Sequence, residues 1–243
     1  MVYMGSKGRL AKHIAPIINE AVKKSNGMLF EPFCGGCNIT PHFAGRVFAN
    51  DLNEGLISLF KEAISGRKFP EYVDIEMHRA AKNGEYDKAL TAYIGFCASY
   101  NGRYFSGFVG NGYHTVNGYH TARRKRDYQK ENIRSFNKTV ASLKAMPSLT
   151  LSSRPYTDLE IPENSVIYCD PPYEGTSQYK IGGFDHDRFW QWAEVMSESN
   201  TVFVSEYSTR SDLFVPIWSK DIPSPIGGTS KRATEKLYIS LIN

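Results

Sequence analysis

No stretch of this 243-residue chain approaches the roughly 20 apolar residues that a membrane-spanning helix needs. The opening Met1-Val2-Tyr3-Met4-Gly5-Ser6-Lys7 also lacks the apolar core of a secretion signal. Neither a membrane span nor an exported chain is therefore expected, and a cytoplasmic protein is. Cysteine is scarce: Cys34, Cys37, Cys97 and Cys169 are the four. Cys34-x-x-Cys37 has the spacing of half a zinc site or of a redox pair. No second close pair or nearby histidine cluster completes a tetrahedral set, so free thiols and no metal are expected. Charge of one sign is barely in excess, with a net charge of +4. A field this weak makes the placement of the cations, rather than their number, carry any argument about nucleic acid.

Apolar periodicity is plentiful. Leu10, Ile14, Ile17, Ile18 and Ala21 recur at helical spacing and Asn26-Gly27 closes that helix. The preceding loop, Tyr3 to Arg9, thus lies just before a helix amino terminus, a place where unpaired N–H groups favour an anion. Met28-Leu29-Phe30-Glu31 reads as a strand running into Pro32-Phe33-Cys34-Gly35-Gly36-Cys37-Asn38. A short helix broken near Pro41 and a second strand, Arg46 to Asp51, follow. Strand, glycine loop, helix, strand and acid make a βαβ unit suited to a nucleoside: glycines let the backbone approach the ligand, and the acid accepts from ribose hydroxyls. The loop is not G-x-G-x-x-G, so a nucleoside without phosphates fits at least as well as a pyrophosphate. A tight turn with a capping Asp51 is the structural alternative. Asn53 to Ile64 is a further helix that stops near Gly66.

Beyond Gly66 the composition turns polar. Helices are predicted around Tyr86, Leu90, Tyr93, Ile94 and Cys97, and around Ile133, Phe136, Val140 and Leu143. Between them lies Ser99 to Gly110, rich in glycine and aromatic residues, then Asn111-Gly112-Tyr113-His114-Thr115 and its copy Asn117-Gly118-Tyr119-His120-Thr121. Three Asn-Gly pairs here are hairpin signals. The segment closes on Arg123-Arg124-Lys125-Arg126. Aromatics interleaved with glycine and followed by cations form a surface for nucleic acid, with rings for stacking and charge for phosphate; a solvated helix start is the plain reading of the same cations.

Strands and helices alternate again from Ser148. Ser148 to Ser152, Thr201 to Ser205, Leu213 to Trp218 and Leu237 to Ile242 read as strands, and a helix capped by Asp185 buries Phe189, Ala193 and Met196. Residues 223–236 read as a loop holding a second basic cluster. This alternation on both sides of one insertion predicts a doubly wound α/β domain. Val166-Ile167-Tyr168-Cys169 is a buried strand that ends in Asp170-Pro171-Pro172-Tyr173. Two prolines fix φ twice and remove two donors, so the chain must leave the sheet in a stiff corner carrying a carboxylate, its neighbouring carbonyls and a ring. By itself this is also what a proline-rich strand exit looks like.

Taken together, Tyr3…Gly5-Ser6-Lys7, Phe30-Glu31-Pro32-Phe33-Cys34-Gly35-Gly36, Asn50-Asp51, Asp170-Pro171-Pro172-Tyr173 and the basic loop Gly227-Gly228-Thr229-Ser230-Lys231-Arg232 resemble the Dam-type (alpha-group) DNA adenine methyltransferases. Cys37 stands where that family's F-x-G-x-G motif has its last glycine. The resemblance implies a mostly parallel, seven-stranded Rossmann-like sheet formed by residues 1–66 and 149–243. It also implies an inserted, mainly helical target-recognition domain over 67–148.

It further implies transfer of a methyl group from S-adenosylmethionine to the N6 amine of a flipped adenine in double-stranded DNA, leaving S-adenosylhomocysteine. Asp170, Pro171, Pro172 and Tyr173 would be catalytic. Tyr3, Ser6, Lys7, Pro32, Phe33, Cys34, Gly35, Asp51, Tyr156 and Asp170 would hold the cofactor. Asn101, Arg103, Tyr104, Arg123, Arg124, Lys125, Arg126, Lys231 and Arg232 would meet DNA. A cognate restriction endonuclease is a partner such an enzyme can have, and the oligomeric state stays open. A methyltransferase of an RNA base or protein amide, and a non-catalytic DNA-binding protein keeping the cofactor pocket, are the alternatives.

Overall fold

A computed structural model of the chain describes residues 1–110, 127–174, 183–222 and 233–242, with the backbone of 115–116, 119–120, 223 and 232. Helix α1 (Ala11–Lys24) buries Ile14, Ile18 and Val22, one every fourth residue, as a single apolar stripe demands. Strands β1 (Met28–Glu31) and β2 (Arg46–Asn50) follow. Helix α2 (Glu54–Ser65) starts where the Asn53 side chain accepts the Leu56 N–H at 3.0 Å. It stops at Gly66, which turns left-handed with φ 102°. Helices α3 (Ile75–Lys82) and α4 (Lys88–Cys97) are capped by Asp74 and Asp87 in the same way. Next come a short antiparallel pair, β3 (Thr115–Val116) with β4 (Tyr119–His120), and helix α5 (Tyr128–Lys144). The chain then runs through β5 (Leu149–Ser152), β6 (Val166–Cys169), α6 (His186–Ser197), β7 (Thr201–Glu206), β8 (Phe214–Pro223) and β9 (Arg232–Ser240).

Among the described residues, seven strands form one sheet in the order β5-β2-β1-β6-β7-β9-β8. β1 pairs in parallel with β2 and β6, and β6 with β7; β9 runs antiparallel between β7 and β8. The α/β class and the mostly parallel, seven-stranded sheet expected from the sequence are what is found. Chain direction across the sheet reverses between β1 and β6. Pro32 and Phe33 leave β1, and Asp170 leaves β6, at the same edge of the sheet, which is where open α/β sheets bind ligands.

By its contacts the chain divides into two compact units: Met1–Ala11, Cys34–Pro41 and Asp51–Ser153 form one, and Lys12–Phe33, His42–Asn50 and Arg154–Asn243 the other. The first holds helices α2 to α5 around a stack of rings, with Phe69 on Tyr93 at 4.8 Å and Tyr93 against Phe136 at 5.4 Å. Burying rings of this size stabilises by about 1.5–3 kcal/mol each. The second has its core on the central strands, where Phe30, Ile167, Val202 and Val204 meet Phe189, Trp190 and Ala193 of α6.

Four sequence expectations change in detail. The helix near Pro41 is only a 3₁₀ turn, Thr40–His42, because proline supplies no N–H to continue it. Tyr86 lies outside α4, since the Asp87 side chain caps the Leu90 N–H at 3.0 Å and starts the helix after it. Strand β8 continues past Trp218 to Pro223. Finally, β9 begins at Arg232, inside the expected loop, with Glu235 buried on the face where an apolar residue belongs.

Candidate active site

In the first unit, the amino-terminal turn, the glycine loop and Asp51 are built into one another. Gly35 has φ 47° and Cys37 φ 49°, and the Cys37 N–H donates to the Cys34 carbonyl at 2.8 Å. The chain thus turns tightly through the left-handed region, which a glycine takes without strain and Cys37 does not. The Tyr3 ring lies directly on the bare backbone: a Cβ at Gly35 would come within 2.8 Å of the ring, and one at Gly36 within 2.6 Å of the Tyr3 Cβ. Tyr3 in turn packs on Phe96 with centroids 5.5 Å apart. Ser6 accepts from the Gly8 N–H at 3.3 Å, and Lys7 is buried in the 3₁₀ turn that leads into α1.

Asp51 accepts the Gly35 N–H at 2.8 Å on one carboxylate oxygen and the Asn53 N–H at 2.9 Å on the other. Burial pushes its pKa up, and these two hydrogen bonds oppose the rise. Each oxygen keeps a further lone pair for a ligand hydroxyl. Beside the loop, the Asn38 Nδ2 is buried with no hydrogen-bond partner among the described residues. A bare glycine backbone, a fixed carboxylate and an orphaned amide donor are features that a nucleoside with a polar tail would satisfy.

In the second unit, Phe33 sits among Tyr156 at 5.2 Å and Phe184 and Phe189 at 5.7 Å each, while Tyr156 meets Trp192 at 5.1 Å. Burial raises the Tyr156 pKa. Asn50 holds this arrangement together. Its Nδ2 donates to the Pro32 carbonyl at 3.1 Å and the Arg154 carbonyl at 2.9 Å, and its Oδ1 accepts the Arg154 N–H at 3.0 Å. The loop carrying Tyr156 is thereby tied to the end of β1.

At the end of β6, Pro171 is buried and Asp170, Pro172 and Tyr173 are half-buried. The Tyr173 hydroxyl donates to the Glu235 carboxylate, and its ring stands edge-on to Tyr207 at 4.7 Å. Deeper in, Tyr168 and Ser205 share a hydrogen bond of 3.0 Å. Burial first, and then the nearby Asp170 charge, hold the Tyr168, Cys169 and Tyr173 groups well above their ordinary pKa values. All three stay protonated at neutral pH, so Cys169 offers no thiolate beside the corner.

The loop between α4 and α5 presents Asn101, Arg103 and Tyr104 at the surface of the first unit. Its base is firm. Asn132 donates to the Cys97 carbonyl at 3.0 Å and the Ser99 carbonyl at 3.2 Å, and Gln129 to those of Val73 at 2.9 Å and Val109 at 3.1 Å. Asn101-Gly102 makes the tight left-handed turn that such a pair favours, with Gly102 at φ 64° and the Arg103 N–H donating to the Tyr100 carbonyl at 3.2 Å. Asn101 is left-handed at φ 55°, and Gly102 approaches the Val2 carbonyl so closely that a Cβ would lie 2.3 Å from it. The Tyr104 ring covers Phe96 at 4.9 Å and is half exposed. Arg123, Arg124, Lys125, Arg126 and Lys231 lie outside the described residues, and so does the side chain of Arg232.

Tyr3, Cys34, Gly35 and Asp51 are thus brought together in one unit, and Pro32, Phe33 and Tyr156 in the other. Sequence reasoning gave no role to Asn38, Asn50, Phe184, Trp192 or Glu235. For Phe184 a signal was present, an aromatic residue directly before the Asp185 cap. Among the described residues, no group of three or more His, Cys, Asp or Glu could hold a metal ion, and no helix is long and apolar enough to cross a membrane. The four cysteines are free.

Comparison with known proteins gives three kinds of likeness. Residues 3–89 and 96–208 match the family described as D12 class N6 adenine-specific DNA methyltransferase. The chain is 26% identical to the retron Ec67 DNA adenine methylase of Escherichia coli, over 87% of this chain and 82% of that one. Among solved structures, a Pyrococcus horikoshii protein assigned as an RNA methyltransferase is 11% identical, with a TM-score of 0.44 over 98% of this chain and 86% of its own. An rRNA methyltransferase from Streptomyces viridochromogenes is 12% identical, with a TM-score of 0.38 over 95% and 84%.

Proposed function

The chain belongs to the D12 class of N6 adenine-specific DNA methyltransferases, which use S-adenosylmethionine to methylate adenine in DNA, and from that premise we infer which of its residues do the work. The observation that carries the inference is the corner after β6, where an acid, two prolines and a ring anchored at its tip by Glu235 follow a fully buried strand.

The amine of adenine is a weak nucleophile because its lone pair is delocalised into the ring. The Asp170 carboxylate and the Pro171 carbonyl accept its two N–H bonds, draw it toward tetrahedral geometry and aim the lone pair. Two rigid acceptors placed in this way lower the barrier by position and charge. The prolines keep those acceptors from relaxing. Within a duplex the amine is out of reach, so the base is flipped, and Tyr173 is the ring on which it stacks.

S-adenosylmethionine, when bound, supplies an electrophilic methyl group on sulfur. Asp51 accepts from the ribose hydroxyls, and Phe33 and Tyr156, with Phe184 and Trp192 beside them, form an apolar wall for the cofactor adenine. The Cys34 to Gly36 backbone, covered by Tyr3, takes the methionine end together with Ser6, Lys7 and the Asn38 amide.

Residues 67–148 form the target-recognition segment. Arg103 reads a base edge, Asn101 and Tyr104 flank it, and Arg123 to Arg126, Lys231 and Arg232 hold phosphates. Such an enzyme acts in the cytoplasm and modifies a defined site, with a restriction endonuclease as the partner from which the mark would protect. Single-molecule sequencing of DNA from cells expressing the protein tests this reading: N6-methyladenine in one sequence context supports it, and unmodified or randomly modified adenine refutes the site-specific part.

A further inference from the structure

Resting on the reading that Tyr173 stacks on the flipped adenine, we propose that Glu235 is a positioning residue for methyl transfer, holding the Tyr173 ring at the angle the base requires. Glu235 lies on β9, well separated in sequence from the catalytic corner, and only 1% of it is exposed. A carboxylate so buried costs several kcal/mol unless strong donors meet it. The Tyr173 phenol is such a donor, and a phenol to carboxylate hydrogen bond is charge-assisted.

The two prolines fix the backbone on which Tyr173 stands but leave its side-chain rotation open. Among the described residues, two contacts limit that freedom. Tyr207 stands edge-on at 84° to the ring, and Glu235 holds the hydroxyl at its tip. A ring held at its tip and set perpendicular to a second ring has a defined orientation to offer a base. Burial first, and then the Asp170 and Glu235 charges, keep the phenol protonated. In its strand Glu235 falls on the buried face next to Leu237 and breaks the apolar alternation there, and the phenol supplies the compensation.

The acceptor is removed by E235L and its charge alone by E235Q, each in the native background and in Y173F, where the hydroxyl is already gone. Single-turnover methylation is measured together with cofactor affinity, DNA affinity and the fluorescence of 2-aminopurine at the target position. A ring released from its anchor misplaces the base by about an ångström, which costs roughly a hundredfold in rate. E235L is therefore expected to slow transfer ten- to a hundredfold, E235Q by less, with cofactor affinity kept and the 2-aminopurine signal altered. In the Y173F background both losses should disappear, because there is no hydroxyl left to hold. If E235L does not fold, the E235Q cycle decides alone. Equal losses in both backgrounds, or turnover and 2-aminopurine signal like wild type in E235L or E235Q, overturn the proposal. Y173A separates this failure from that of the underlying reading: if Y173A turns over normally, Tyr173 does not hold the base at all.

Discussion

Replacing Gly36 by alanine tests whether the glycine loop is a cofactor cradle or only a turn. The new Cβ would fall 2.6 Å from the Tyr3 Cβ and 2.9 Å from both the Tyr3 Cγ and the Asn38 Nδ2. The Tyr3 Cβ and Cγ lie at the root of a side chain that Phe96 holds, so they cannot swing away as a side-chain end such as the Asn38 amide can. Overpacking of this kind costs about 1–3 kcal/mol. The displaced loop also carries the Gly35 N–H that fixes Asp51. About 1.4–2.7 kcal/mol of that cost falling on the cofactor-binding conformation means a ten- to hundredfold weaker dissociation constant. Calorimetric titration with S-adenosylhomocysteine measures it, and D74A serves as the control. Asp74 caps α3 through the Met77 N–H at 2.7 Å, so its loss costs about 1 kcal/mol of stability and nothing in the cradle. G36A binding the cofactor as tightly as D74A would refute the reasoning, because a merely destabilised protein would behave alike in both.

Other outcomes follow from the same geometry. Asp51 has a raised pKa, so its folded form holds the proton more tightly than the unfolded chain does. The stability of the cofactor-free protein should therefore fall as pH rises from 3.8 through the raised value, and D51N should flatten that slope in urea titrations; a slope unchanged in D51N would contradict the assignment. Removing the Tyr156 ring by Y156A should weaken S-adenosylhomocysteine binding several-fold, with DNA affinity preserved, as a filter-binding assay would show. R103A should relax the preference at one base position by about 1–3 kcal/mol, whereas R124A should weaken binding to all sequences and lower its salt dependence. Methylation profiling on a randomised duplex library distinguishes the two, and an R103A profile like wild type removes Arg103 as a reader.

Much of the fold was legible because its signals are local. Asn53 and Gly66 bound α2, Asp185 caps α6, and the run from Val166 to Cys169 is a buried strand. The corner at Asp170 was legible for the same reason, since proline dictates its shape wherever it stands. What escaped depends on residues far apart in the chain. Asn50 is an ordinary strand residue until its amide clasps Pro32 and Arg154. Glu235 read as part of a polar loop because a buried acid looks like an exposed one until its donor, 62 residues away, is known. The Asn101-Gly102 pair takes the left-handed turn its local signal favours, but that Val2 lies against Gly102 could not be read from the segment itself. Propensity describes the segment, and tertiary packing chose among the conformations it allows.

Activation of the adenine amine rests on the corner at Asp170, and D170A in an assay that reads binding and chemistry separately tests it most directly. Wild type with labelled S-adenosylmethionine and duplex DNA should give N6-methyladenine by mass spectrometry. D170A should keep its fold, its S-adenosylhomocysteine affinity within a few-fold and its DNA affinity, while its methylation rate falls by at least a hundredfold, as loss of a preorganised acceptor predicts at about 2.7–4 kcal/mol. Substantial methyl transfer by D170A would show that the amine is activated elsewhere and contradict the central claim.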